Sequence, residues 1–416
     1  MGTVFQFLGT ALQIAIAADV LLLLGLALMS PVPLKYNLRN VLIRWRATLA
    51  TVLGIALVVA VFVVLQSMAI GIEKSSGSTG DSRNLLVVRQ GSTAESSSLV
   101  SREKLKSLQY APEIARNAAG EPMIAADVLT IVNLPRRNGA GEANVLVRGT
   151  CSRGRELRPQ VRLVAGRWFA AGQREVVAST RLGERFANMN VGDTFKTGPD
   201  RLTVVGWFDA GRTAFESEVW MDADEARSIF DRDMYSSLLV RPADEQARAS
   251  LVRRIEEDKR VQLRALPEIE YYASQTRTAT PIRWLGNFLA IAMSVGAVFA
   301  AMNTMYASVG ARTREIGTLR VLGYRRRAIV ASFLIEGALL AMIGGLIGCL
   351  LALPMNGYAT GTVSFETFSE RVFQFTITPW LMTQGVIFSV LVGQAGTLLP
   401  AIRASRLPVI SALKSV

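Results

Sequence analysis

Arg312-Thr-Arg-Glu-Ile-Gly-Thr-Leu-Arg-Val-Leu-Gly323 is the stretch on which the fold of this chain turns. It is short, basic and amphipathic, and it lies between two long apolar segments, 282–309 and 328–355. Ile316, Leu319 and Leu322 fall on one side of a helix, Arg312 and Glu315 can pair a turn apart, and Gly323 is a natural helix stop. A third apolar segment, 379–402, runs into a basic tail, 403–416. A loop that only held positive charge on the inner side would explain the arginines, but not an amphipathic helix ending in glycine. A helix at 310–327 held by two spans makes a poor pore. It makes a good handle for something in the cytoplasm to push.

Outward from this point, the windows 48–72, 282–309, 328–355 and 379–402 each hold the roughly 20 apolar residues that cross ~30 Å of hydrocarbon. Half the residues are hydrophobic and the mean hydropathy is +0.31, with the apolar residues clustered rather than periodic. A fifth window, 5–29, is also long enough. No Lys or Arg precedes Lys35, so a signal peptide would lack its basic start. The positive flank follows the window, which favours a retained span with its N-terminus outside. Asp19 within it is costly in lipid and should face other helices as a polar packing contact. Residues 35–47 read as an interfacial elbow helix on the inner leaflet, with Trp45 in the headgroup zone and Arg39, Arg44 and Arg46 near lipid phosphate.

The net charge of +13 invites a nucleic-acid partner, but its distribution excludes one. Segment 73–281 holds 31 basic and 28 acidic residues, close to balance. The excess sits in the segments placed inside, which is the pattern of a multi-pass cytoplasmic-membrane protein whose partner is the lipid bilayer. There is no histidine, so His-based triads and His metal sites are ruled out, and no catalytic residue or metal ligand set emerges. Cys151 lies in the large outer segment and Cys349 within a span, so no intrachain disulfide is expected.

Residues 73–281 have the pattern of an α+β domain. Strand-like runs occur at Leu85–Arg89, Val128–Asn133, Asn144–Arg148, Glu175–Ala178, Arg201–Val205, Val219–Met221 and Ser237–Arg241. Helical patterns occur at Ser101–Gln109, Thr180–Met189, Ala223–Phe230 and Asp244–Asp258, with Ser101 and Asp244 as N-caps. The Gly-rich centre, 160–222, reads as a separate lobe. Tyr271 and Tyr272 suit the outer membrane–water interface. Residues 356–378, with Glu366, Glu370 and Arg371, are a short outer loop. The expected fold is an α-helical membrane protein with four core transmembrane helices plus one extra N-terminal span. A large α+β extracytoplasmic domain is inserted between the first and second core spans. No cytoplasmic enzyme domain is expected after the last span.

Within the span 328–355, Gly344, Gly345 and Gly348 form a small-residue pattern for close packing inside one subunit. Glu336 lies little more than two turns into that span. An ionisable residue there is a functional candidate, with a hydrogen bond to a neighbouring helix as its structural alternative. No train of charges continues across the bilayer, as an ion-coupled carrier would need. The sequence contains no G-x-x-x-x-G-K-[ST], so it binds no cofactor of its own through a Walker phosphate loop. Any ATP must be bound by a partner.

These residues resemble the FtsX-like permease family of ABC transporters, and within it the MacB-like members. Arg314-Glu-Ile-Gly-Thr-Leu-Arg-Val-Leu-Gly-Tyr324 is similar to the family's cytoplasmic coupling segment. Pro400-Ala-Ile-Arg-Ala-Ser-Arg-Leu-Pro-Val-Ile-Ser-Ala-Leu-Lys414 is similar to its C-terminal signature. Ala165-Gly-Arg-Trp-Phe169, Asn190-Val-Gly-Asp193 and Leu202-Thr-Val-Val-Gly206 resemble the MacB-type extracytoplasmic core. The resemblance covers 36–416. It implies a homodimeric permease bound to two copies of a cytoplasmic ABC ATPase, with a periplasmic adaptor (membrane-fusion) protein as a further partner. Closure of the ATPases would move the coupling helix, and the motion would reach a porter lobe and a sabre-like lobe at 160–222. The residues expected at the ATPase contact are Arg314, Glu315, Gly317, Leu319, Arg320 and Gly323. MacB carries a fused N-terminal ATPase that this sequence does not contain, and the span 5–29 is extra to the four-span pattern.

The expected function is therefore that of a permease subunit for mechanotransmission, exporting a periplasmic or membrane-derived substrate, and not an enzyme by itself. Release of lipoproteins and control of cell-wall hydrolases stay open within the family. Outside it, a non-transporting membrane sensor is the alternative. It would need a cytoplasmic output module or a kinase partner, and the sequence contains no such module.

Overall fold

The computed structural model describes residues 45–139, 141–211, 213–258, 262–275, 279–363 and 369–407. The expected span 5–29 with Asp19, most of the elbow 35–47, Glu366, and the tail beyond Leu407 lie outside the described residues. The chain forms two compact units. Among the described residues, a helical unit gathers 45–68, Ile282–Tyr358 and 375–407, and a sheet unit gathers Ala69–Pro281 and Ala359–Gln374.

Four long helices dominate the helical unit: α1 (Trp45–Gly77), α8 (Ala279–Ala311), α10 (Arg326–Ala352) and α11 (Pro379–Ser405). They form four helical stretches long and apolar enough to cross a membrane: Thr48–Ser75, Trp284–Ala311, Arg326–Met355 (α10 with the turn that follows it) and Pro379–Ser405. Helices suit this setting because all their backbone donors and acceptors pair internally. Lipid tails are as apolar as leucine, so close approach and a few polar contacts hold such helices together. A Cβ on Gly344 would meet the Val52 carbonyl at 3.0 Å, and one on Gly348 would meet that of Ala56 at 2.5 Å, so these two glycines seat α1 on α10. Gly345 faces the other way, against Ser389 and Val386 of α11. The three glycines thus serve two seams, both within one subunit. Thr51 Oγ1 donates to Thr304 Oγ1 (2.8 Å) and Gln66 Nε2 to Asn287 Oδ1 (2.6 Å), tying α1 to α8. Thr378 caps α11 by accepting from the Leu381 N–H, with Pro379 in the first turn, where a missing N–H costs nothing. One short helix, α9 (Thr313–Val321), joins α8 to α10.

The sheet unit is built on β1 (Leu85–Arg89), β2 (Ile124–Pro135), β3 (Glu142–Thr150), β4 (Arg162–Gly166), β5 (Glu175–Ser179), β6 (Thr194–Thr197), β7 (Asp200–Asp209), β8 (Glu218–Asp222), β9 (Ser237–Val240) and β10 (Leu263–Pro267). They form one mixed sheet in the order β10-β1-β9-β2-β3-β8-β5-β7-β4, with β6 paired to β7. The β3·β8 and β5·β7 pairs are parallel, and the others are antiparallel. Residues 160–222, expected as a separate lobe, supply β4 to β8, which continue this sheet through β3·β8. Both faces are covered. Leu85 and Val87 belong to one apolar core, and Leu86 and Val88 to the other, which explains the unbroken apolar run of β1.

Short helices flank the sheet: α2 (Arg102–Gln109), α3 (Ser152–Glu156), α4 (Thr180–Arg185), α5 (Ala223–Ile229), α6 (Glu245–Glu257) and α7 (Glu268–Ser274). Asp244 caps α6 as expected, accepting from the Ala247 N–H at 2.7 Å. Ser101 precedes α2 without a side-chain cap, and Ser179, not picked out in the sequence, caps α4. Tyr271 and Tyr272 are buried in the second core at 4 % and 3 % exposure, not at an interface. The loop 356–378 contains a hairpin, β11 (Ala359–Val363) with β12 (Glu370–Gln374), which belongs to the sheet unit.

Candidate functional site

Helix α9 is anchored on one side and bare on the other. Ile316, 3 % exposed, enters an apolar cluster with Met305, Val309, Ile329, Phe333, Ala401 and Ala404. At the mouth of α9, Arg312 donates to Glu336 on α10 at 2.9 Å, and both side chains are under 10 % exposed. The Arg312 guanidinium also lies 5.4 Å from the Phe333 ring centroid. The expected Arg312–Glu315 pair exists but is long, 3.5 Å, and Glu315 is 56 % exposed. Glu336 is thus paired with Arg312 at the start of α9.

The helix ends at glycine as its sequence requires. Gly323 has φ +94°, a left-handed conformation that costs other residues about 1–2 kcal/mol. Its N–H donates to the Arg320 carbonyl (3.2 Å), and the Tyr324 N–H donates to that of Leu319 (3.1 Å). Together these bonds form the Schellman cap that satisfies the last carbonyls.

The expected contact residues divide by exposure. Arg314 and Glu315 are exposed, Leu319 and Arg320 are half-buried, and Gly317 is buried. Leu322 does not continue the buried side of Ile316. It is the C-cap residue and is 70 % exposed, beside Val321 at 61 %. Arg325, Arg326 and Arg327 follow, all exposed. The tip of α9 is thus an apolar pair next to a block of positive charge, a surface suited to an acidic, apolar-lined groove on a partner.

The sheet unit holds a second constellation that the sequence did not point to, a buried ion network. Arg148 on β3, fully buried, donates to Glu218 (2.7 and 2.8 Å), Asp127 (3.0 Å), Glu95 (3.3 and 3.4 Å) and the Tyr272 hydroxyl (3.2 Å). Arg158, also fully buried, donates to Asp127 (2.6 Å) and Glu268 (3.4 Å). Glu268 accepts in addition from Asn84 Nδ2 and the Asp81 N–H, each at 2.9 Å. Burial pushes the Asp127 carboxyl up, but Arg158 and Arg148 outweigh it and hold it below the usual value. Burial pushes Glu268 up, and there Arg158 offsets it only in part. Asp81 and Asn84 lie just after α1 in the chain, and Glu268 lies just before α8. The network therefore fastens together the two ends of the sheet unit's main segment.

The hairpin is fastened too. Glu370, 3 % exposed, accepts from Arg136 at 2.5 Å and also from Arg185. Arg371 donates to Gln275, and the Val372 N–H donates to Ser217 Oγ at 2.7 Å. Sequence reasoning noted Glu370 and Arg371 only as loop charges. Their partners lie about 100–230 residues away in the chain, beyond any local pattern.

Comparison with known proteins agrees with both units. Residues 287–409 match the FtsX-like permease C-terminal family, and residues 47–258 match the MacB-like periplasmic core domain family. The chain is 27 % identical over 327 residues to the macrolide export ATP-binding/permease protein MacB of Bordetella avium, covering 70 % of this chain and 48 % of that protein. It is 37 % identical over 133 residues to the pyoverdine export ATP-binding/permease protein PvdT of Pseudomonas syringae pv. tomato, covering 32 % and 18 %. The chain spans about half the length, or less, of these curated relatives. Among solved structures, the extracellular domain of the noncanonic ABC-type transporter YknZ aligns at a TM-score of 0.34 and 14 % identity, covering 44 % of this chain and 99 % of that one.

Proposed function

The chain belongs to the FtsX-like permeases with a MacB-like periplasmic core domain, and from that premise we propose that it transmits ATP-driven motion from a cytoplasmic ABC ATPase to its extracytoplasmic domain. It is an ABC transporter permease by family. The ATPase, present in two copies on a homodimer of this chain, pushes on α9. The four core spans carry the movement across the inner membrane. The α+β domain, inserted between the first and second core spans, uses it to export a substrate, with a periplasmic adaptor as a further partner. Export is favoured because the relatives MacB and PvdT are named as exporters.

One observation carries this reading. The handle at 313–321 is seated in the helical unit by Ile316 and the Arg312–Glu336 pair, yet presents Val321 and Leu322 bare beside three arginines. A helix that served only as a turn would bury its apolar tip or lack one. The test is a cysteine cross-link from Leu322→Cys, in a chain with Cys151→Ser and Cys349→Ser, made in native membranes. The expected product joins the permease to a polypeptide that an azido-ATP photolabel marks. Full coupling of ATP hydrolysis after replacement of both Glu315 and Leu319, in the purified complex with its ATPase, would sink the assignment of those residues.

A further inference from the structure

The sheet unit carries a cleft of about 430 Å³ that the network and the hairpin do not use. That volume lies in the range of sites for organic ligands. Ile124 and Ala126 of β2, Leu105 of α2 and Ala223 of α5 give it an apolar floor. Tyr110 and Tyr235 stand at its sides, the first 76 % exposed and the second 8 %. Neither hydroxyl has a hydrogen-bond partner among the described residues, and the same holds for the Gln109 amide and the Cys151 thiol. Polar groups free to bond a ligand, beside an apolar floor, are what a ligand site needs.

The charges around the cleft select the ligand. Its two carboxylates are already matched. Glu121 pairs with Arg153 at 3.4 Å, and Asp224 pairs with Arg102 and Arg227 at 3.7 and 3.3 Å. Among the described residues, Arg153 keeps its Nε buried with no acceptor, and the Arg116 side chain donates only to the Gly120 carbonyl, at 2.8 Å. What the cleft lacks is an acceptor carrying negative charge, next to a body that can lie on apolar and aromatic surface. We propose that it binds a monoanionic amphiphile, with the head at Arg153 and Arg116 and the body against β2 and the two tyrosines. Burying an apolar body contributes affinity in proportion to its area, and the charged hydrogen bond to Arg153 sets the sign selectivity.

Cys151 lines the same cleft and serves as the reporter. The full chain with Cys349→Ser, held in nanodiscs, leaves Cys151 as the single thiol. Its rate of modification by a sulfonated maleimide is measured against rising naphthalene-2-carboxylate, and against the isosteric cation naphthalen-2-ylmethylammonium. The carboxylate is expected to slow labelling saturably and the cation to leave it unchanged. Arg153→Met should raise the half-saturating carboxylate concentration by about tenfold, as loss of one charged hydrogen bond requires. Tyr110→Ala, at an exposed position that cannot unfold the domain, should raise it severalfold. The proposal is overturned if the carboxylate gives no saturable slowing, if the cation slows labelling equally, or if both variants keep the original half-saturation. No ATP or ATPase enters this measurement, so its outcome is separate from that of the coupling reading.

Discussion

Removing Glu336 should loosen the start of α9 while leaving the four long helices in place. Arg312 and Glu336 meet at 2.9 Å with side chains 9 % and 7 % exposed. At an effective dielectric constant of about 20, two unit charges at that distance attract by about 6 kcal/mol before desolvation is subtracted. Most of that is spent on bringing both groups out of water, so the pair adds little over two well-packed apolar residues. Glu336→Ala, however, strands a buried guanidinium, at a cost of about 3–5 kcal/mol. The cheapest relief is for Arg312 to swing out, which frees the start of α9, because the Ile316 N–H bonds to the Arg312 carbonyl at 3.0 Å. Hydrogen exchange of peptides covering 313–324, on detergent-solubilised chain, reads this opening directly. A loss of about 3 kcal/mol corresponds to roughly a hundredfold faster exchange. Glu336→Gln keeps an acceptor without the charge and should speed exchange by about tenfold. The double variant Arg312→Met, Glu336→Leu leaves no stranded charge and should exchange more slowly than Glu336→Ala. If Glu336→Ala changed exchange in 313–324 by less than about threefold, the pair would not be the anchor.

Three further outcomes follow from geometry. Gly348→Val places a Cβ 2.5 Å from the Ala56 carbonyl and 2.8 Å from Val59, so α1 must move off α10, and thermal unfolding in detergent should register a loss of about 1–3 kcal/mol. Arg148→Met leaves Glu95, Asp127 and Glu218 buried together and should cost at least about 3 kcal/mol, whereas Arg83→Met, at an exposed pair with Asp81, should cost under about 1 kcal/mol by the same assay. Burial, reinforced by Asp209, pushes the Glu216 carboxyl up to about 8 from 4.5. Its contribution to stability is therefore complete below pH 4.5 and is lost as pH rises through 8, at up to about 1.4 kcal/mol per pH unit, and Glu216→Gln should flatten that slope in a pH series of melting curves.

The sequence revealed what depends on composition and local period. The four long apolar helices were legible because a helix able to cross lipid must be apolar along its whole length. β1, β2, β3, β5, β7, β8 and β9 were legible as runs of branched and aromatic residues. β4, β6 and β10 were missed: β6 has a single apolar residue, β4 ends in glycine and β10 in proline, and all three are held by neighbours in the sheet. At the handle, Gly323 and Ile316 behaved as the pattern indicated. Leu322 did not, because the helix ends at Val321 and the cap turns that side chain outward. The polar anchors were hidden for one reason. Arg148, Asp127 and Glu268 look like any solvated charges along the chain, and only a fold that joins residues 21 to 110 positions apart makes them a buried network.

Transmission itself can be watched by hydrogen exchange across residues 69–281 and 359–374, in the complex with its ATPase in nanodiscs, with and without ATP. The expected result is an ATP-dependent change in exchange within those residues that Leu322→Asp abolishes while ATP hydrolysis by the ATPase continues. ATP turnover with no change anywhere in 69–281 or 359–374, or a change that persists unaltered in Leu322→Asp, would contradict the claim that α9 passes motion to the extracytoplasmic domain.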